Sequence, residues 1–109
     1  MKSLGALSLC LALLLTACAP AAPAQAEQMT VTVSVLPQVY FVQKIAGDLV
    51  SVQAIVGSGD DPHTYEPTAE QMRVVAKSRL YFSIDVEFED AWLARFRAAN
   101  PGMTIVDSA

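Results

Sequence analysis

The sequence predicts an α/β domain built on a parallel sheet. Two observations carry that reading: short runs of β-branched residues alternate with stretches of helical period, and glycine, proline or asparagine punctuates the joins. Val31 to Val35 places valine at every second position and reads as the first strand. Leu36-Pro37 ends it, because proline suits the first turn of a helix, and that helix runs to Ala46 with Gly47 as its stop. Within it Tyr40, Phe41, Lys44, Ile45 and Asp48 divide into an apolar stripe and a wet one, which assigns Tyr40 and Phe41 to the core. Val50 to Val56 forms a second strand, broken by Gly57-Ser58-Gly59. Thr68 with Gln71 three residues later has the pattern of a capping box and opens a helix through Ser78. A third strand covers Leu80 to Ile84. The helix after it, Glu87 to Ala99, carries Glu87, Glu89 and Asp90 early and Arg95 and Arg97 late, as the helix dipole favours. Trp92 and Phe96, four apart on that helix, read as core. Asn100-Pro101-Gly102 closes it, and Met103 to Val106 supplies a fourth strand. Four strands alternating with three helices require right-handed crossovers, the doubly wound class, and no internal repeat competes with this reading.

The beginning of the chain has another purpose. Residues 1–17 combine one positive charge at Lys2, an apolar run from Leu4 to Leu15 and small residues, the composition of an export signal. The run is short of the roughly 20 apolar residues that a spanning helix needs. Leu15-Thr16-Ala17-Cys18 resembles the bacterial lipobox, which implies cleavage before Cys18 and lipid on its thiol, so that the mature protein is held on a membrane surface. An ordinary secretory signal cleaved near Ala24 or Ala26 is the other reading. Cys10 lies within the apolar run, so no disulfide framework is implied. Residues 18–28, rich in alanine, proline and glutamine, have too little large apolar surface to offset ordering and read as a flexible tether, leaving 29–109 as one small domain. Loss of Lys2 with the signal leaves 6 of the 7 basic residues facing 11 acidic ones. That balance, with Arg73, Lys77, Arg95 and Arg97 spread over solvated helix faces, excludes a nucleic-acid partner.

The single histidine stands inside Asp60-Asp61-Pro62-His63-Thr64-Tyr65-Glu66-Pro67, which leaves the carboxyl end of the second strand. Open parallel sheets gather ligands there. An imidazole among carboxylates, on a loop restrained by two prolines, has the donor chemistry that suits zinc or manganese. A solvent-exposed histidine bonded to a neighbouring carboxylate is the plainer reading of the same residues. Asp60, Asp61 and Glu66, acids in a turn before a helix, are expected as solvated or capping groups rather than as co-ligands. A catalytic zinc normally has three protein ligands, and the chain has one histidine and no His-Glu-x-x-His or Gly-x-Ser-x-Gly pattern, which argues against an enzyme.

Three stretches carry a resemblance that covers nearly all of the domain: Ser34-Val35-Leu36-Pro37-Gln38 leading to Ile45-Ala46-Gly47-Asp48; Asp61 to Pro67; and Leu80-Tyr81-Phe82 with Phe88-Glu89 and Trp92-Leu93. They resemble the N-terminal part of the cluster A-I solute-binding proteins of bacterial zinc and manganese ABC transporters, often made as lipoproteins. The resemblance implies a βαβαβαβ half-lobe of a two-lobed periplasmic-binding-protein fold. It also implies extracytoplasmic capture of zinc or manganese and delivery to the transporter's membrane permease subunits. His63 would be the first metal ligand, with Asp61, Pro62, Tyr65, Glu66 and Pro67 shaping its loop. Further ligands in that family come from later sequence, and its members run to roughly two or three times this length, so the chain is expected to be truncated. A surface adhesin or structural lipoprotein is the alternative function. Asp85 stands where the family usually has glycine after the third strand, so positive φ and mild strain are expected at that turn.

Overall fold

The computed structural model describes residues 27–109; the predicted export signal, Cys18 and all of the tether but its last two residues lie outside them. Among the described residues four strands, β1 (Met29–Val35), β2 (Val50–Val56), β3 (Leu80–Ser83) and β4 (Thr104–Asp107), alternate with three helices, α1 (Leu36–Ala46), α2 (Ala69–Lys77) and α3 (Glu87–Ala99). A single 3-10 turn, Gly47–Leu49, joins α1 to β2. The element order is the one read from the sequence, and the ends differ by one or two residues, as helix and strand ends commonly do.

All pairings are parallel, in the order β2-β1-β3-β4. Val33 lies opposite Ala54 on one side and Phe82 on the other, so β1 is an interior strand, and Val31, Thr32, Val33 and Ser34 are all buried. The step from β1 to β2 runs in one direction across the sheet, and the steps to β3 and β4 return in the other. Right-handed crossovers then put α1 on one face and α2 with α3 on the opposite face. The strand order reverses between β1 and β3, and the loops leaving those two strands part to opposite faces. A crevice at such a switch point is where ligands of open sheets bind.

The core lies under α2 and α3. Ile55, Val56, Val75, Tyr81, Phe88, Phe96 and Met103 are buried together, with Val35, Tyr65, Met72, Trp92 and Leu93 packed around them. Phe96 is fully buried between Tyr81 and Trp92, at ring separations of 5.3 and 6.2 Å. Trp92 is only half-buried, and the Arg95 guanidinium lies 4.5 Å from its ring centre.

On the other face the sequence expectation fails. Helical period assigns Tyr40 and Phe41 to the core, yet they are 59% and 62% exposed, packed edge-to-face on each other, and α1 buries no residue fully. Helical period identifies an apolar stripe; burial requires a second element to lie on it. Val42, Ile45 and Ala46 border a small apolar pocket with Val31, Val50 and Leu80 of the sheet. Phe41, with Val42 and Ile45, also lines a groove of about 470 Å³ beside Phe82 and Ile84, and no described element fills it.

Each helix is tied to the sheet by the third residue of its first turn. In α1 this is Gln38, whose Oε1 accepts the Ser34 and Val35 N–H groups at 3.0 and 3.1 Å while its Nε2 donates to the Phe82 carbonyl at 3.1 Å. The side chain satisfies amides that the start of a helix leaves without partners and joins β1 to β3.

Candidate functional site

The His63 loop begins where β2 ends in the buried pair Ile55 and Val56. Asp60 Oδ2 accepts the Gly57 N–H at 3.2 Å, and Gly59 adopts φ +85°, a conformation that costs glycine little. Asp61 Oδ1 accepts the His63 N–H at 2.9 Å and the Asp61 carbonyl accepts the Thr64 N–H at 3.3 Å. This side-chain turn fixes the histidine backbone and commits one carboxylate oxygen of Asp61 to it. Pro62 is half-buried, Glu66 exposed and Pro67 buried.

Gln71 holds the far end of the loop. Its Oε1 accepts the Thr68 N–H at 2.9 Å and the Tyr65 hydroxyl at 3.0 Å, and its Nε2 donates to the Ile55 carbonyl at 2.6 Å. Thr68 Oγ1 accepts the Gln71 N–H at 3.2 Å, completing the predicted capping box. Tyr65 packs edge-to-face on Phe88 of α3, with ring centres 6.3 Å apart.

Against this fixed backbone the His63 side chain is 64% exposed, and its Nδ1 lies 2.9 Å from Oε2 of Glu87, the first residue of α3. The ring faces solvent rather than the core. The hydrogen bond to Glu87 and that residue's charge, with a smaller contribution from Asp61, raise the imidazole pKa above its ordinary 6.5. The proton is therefore held to higher pH than in a free histidine, and any metal binding at the ring competes with it. Nε2 is the nitrogen that Glu87 leaves available. Among the described residues no group of three or more histidine, cysteine, aspartate or glutamate side chains comes together to hold a metal ion.

A second polar cluster lies at the carboxyl ends of β1 and β3. Glu89, read from sequence as one of three dipole-favoured acids, is 3% exposed. Its carboxylate accepts the Ile84 N–H at 3.1 Å, the Asp85 N–H at 2.9 Å and the Ser34 hydroxyl. Ser34 has one hydroxyl proton and gives it to the carboxylate, so the Tyr81 hydroxyl, 2.7 Å away, must donate to Ser34. Burial pushes the Tyr81 phenol above its ordinary value and keeps it a donor. Asp85 has φ 59°, as the resemblance implied for that turn, and its amide donates to Glu89. Sequence reasoning missed Glu87 and Glu89 as site-forming residues. The available signal was position: Glu89 is the third residue of α3, as Gln38 and Gln71 are in theirs, but Val86 stands where a capping box would have serine or threonine.

A family model described as Zinc-uptake complex component A periplasmic matches residues 31–109. The chain belongs to this family. It is 32% identical over 104 residues to the manganese ABC transporter substrate-binding lipoprotein PsaA of Streptococcus mitis, covering 87% of this chain and 33% of PsaA. It is 32% identical over 88 residues to the zinc-binding lipoprotein AdcA of Streptococcus pneumoniae, covering 81% of this chain and 17% of AdcA. Among solved structures, a crystal structure of ZnuA is 44% identical with a TM-score of 0.70, over 76% of this chain and 32% of ZnuA. A Mn-bound periplasmic metal binding protein from Candidatus Liberibacter asiaticus is 25% identical with a TM-score of 0.66, over 73% and 30%. The zinc-uptake family therefore shares this α/β architecture, and the chain spans a third or less of these relatives' length.

Proposed function

We propose that His63 is one ligand in a site for zinc or manganese, and that the protein captures this ion outside the cytoplasm and delivers it to the membrane subunits of an ABC importer. The supporting observation is the exposed imidazole at the carboxyl edge of the parallel sheet, its backbone fixed by Asp61 and its Nδ1 engaged by Glu87, in a chain of the zinc-uptake family. Relatives are named for manganese and for zinc, and both metals accept imidazole and carboxylate donors. The role is binding and transfer rather than catalysis. One imidazole and one nearby carboxylate do not fill the four positions that zinc normally takes, so a complete site needs donors besides those that the described residues bring together. Lipid on Cys18 would keep the domain close to the importer, with residues 18–28 as its tether.

Metal titration of the protein with and without His63→Ala tests the reading. Loss of orders of magnitude in zinc and manganese affinity is expected, at least the roughly 100-fold upper cost of removing an outer-shell partner, and equal affinities would remove it. Affinity should also fall on acidification through the raised His63 pKa, because only the neutral ring can ligate.

A further inference from the structure

We propose that Glu87 is the positioning residue of this site: by accepting the Nδ1 proton of His63, it fixes the tautomer and aim of the ring so that Nε2 is the metal-binding atom. The inference rests on the capture role assigned above to His63. Its basis is how three consecutive residues at the start of α3 are used. Glu87 Oε2 lies 2.9 Å from His63 Nδ1, Phe88 packs on Tyr65 of the same loop, and Glu89 is buried and holds the Ile84 and Asp85 amides and the Ser34 hydroxyl. The carboxylate behind the imidazole is therefore mounted on a helix end that is itself fastened to the two central strands.

The chemistry follows from the inventory of lone pairs. A carboxylate can only accept, so the neutral ring must carry its proton on Nδ1 and present the free pair on Nε2. The His63 N–H is already bonded to Asp61, so the backbone is fixed independently and Glu87 sets the two side-chain torsions. A carboxylate in this position also makes the imidazole a better donor to a cation, and removing such a partner typically weakens metal binding by roughly 10–100-fold. Without it, an imidazole that is 64% exposed would distribute its proton between both nitrogens and its ring among several rotamers.

Because the chain has one histidine, 15N labelling of that residue reports on His63 without assignment. At a pH where the ring is neutral, the nitrogen shifts should show the proton on Nδ1 in the wild-type protein and in Glu87→Gln, which keeps an acceptor oxygen. In Glu87→Ala the population should move toward the Nε2-protonated form. Zinc added stepwise should shift Nε2 and not Nδ1, with half-saturation raised roughly 10–100-fold in Glu87→Ala and less in Glu87→Gln. A tautomer unchanged by Glu87→Ala, or zinc arriving at Nδ1, overturns the assignment of Glu87. His63→Ala separates that failure from failure of the capture role: if zinc binds this variant as it binds wild type, His63 is no ligand, and the functional role of Glu87 falls with it even where the tautomer result stands.

Discussion

The two faces of the sheet begin from similar apolar sequence and end differently. Under α2 and α3, Phe88, Phe96, Val75 and Tyr81 are buried and the polar groups among them are matched by Ser34, Thr32, Ser78 and Glu89. On the other face no second helix of the described residues lies beside α1, and Ile45 within it and Leu49 just beyond it are 88% and 80% exposed. Apolar composition is therefore a permit for burial and not its cause. The side with two helices excludes water, and the side with one leaves a groove beside it. The site belongs to the well-packed side, since its loop rests on Phe88 through Tyr65 and on β2 through Gln71.

Substitutions can sharpen that contrast. Phe96→Ala should lower stability by about 3–5 kcal/mol, whereas Ile45→Ala should change it by less than about 0.5 kcal/mol; urea unfolding of the pair measures the difference between the faces directly. Equal losses would mean that α1 is covered in solution. Next in size is Glu89→Ala, which leaves two amides and the Ser34 hydroxyl without their acceptor in a buried setting. A loss of about 3 kcal/mol is expected, and Glu89→Gln should recover much of it by retaining one acceptor oxygen.

Gln71→Ala should cost about 1–2 kcal/mol, because it frees Thr68 N–H, the Tyr65 hydroxyl and the Ile55 carbonyl in partly exposed positions. Hydrogen exchange should show faster opening confined to the loop around His63, and uniform acceleration across β1 and β3 would contradict a local latch.

The smallest effect is electrostatic. His63 should titrate above 6.5, and Glu87→Gln should bring it down toward that value, as read by the imidazole proton shifts against pH. Since the folded pKa is raised, the stabilisation from this pair is fully present below 6.5 and is lost as pH rises through the folded value. It is exposed and salt-sensitive, so high ionic strength should shrink the shift.

Much of this organisation was legible beforehand. The alternation of valine runs with helical stretches gave the number and order of elements, and Thr68 with Gln71 gave the start of α2 because a capping box is a contact between near neighbours in sequence. The turn at Asp85 was legible only through the resemblance, which puts glycine there, and its φ is 59°. Tyr40 and Phe41 were misplaced because their surroundings depend on which elements lie across the sheet. His63 was visible as a candidate, but its partner was not: Glu87 is on another helix, and only the return of the chain through β3 brings the two together.

What the sequence by itself determined are the quantities governed by short separations: strand and helix periods, caps, the turn at Asp61, and the single imidazole on a loop leaving a strand. Tertiary structure alone decided that Glu89 is buried while Glu87, two residues earlier, faces His63, and that one apolar helix stays wet while another forms the core. The physical reason is that burial and ion pairing depend on what the rest of the chain places alongside a residue, and the local pattern carries no record of that neighbour.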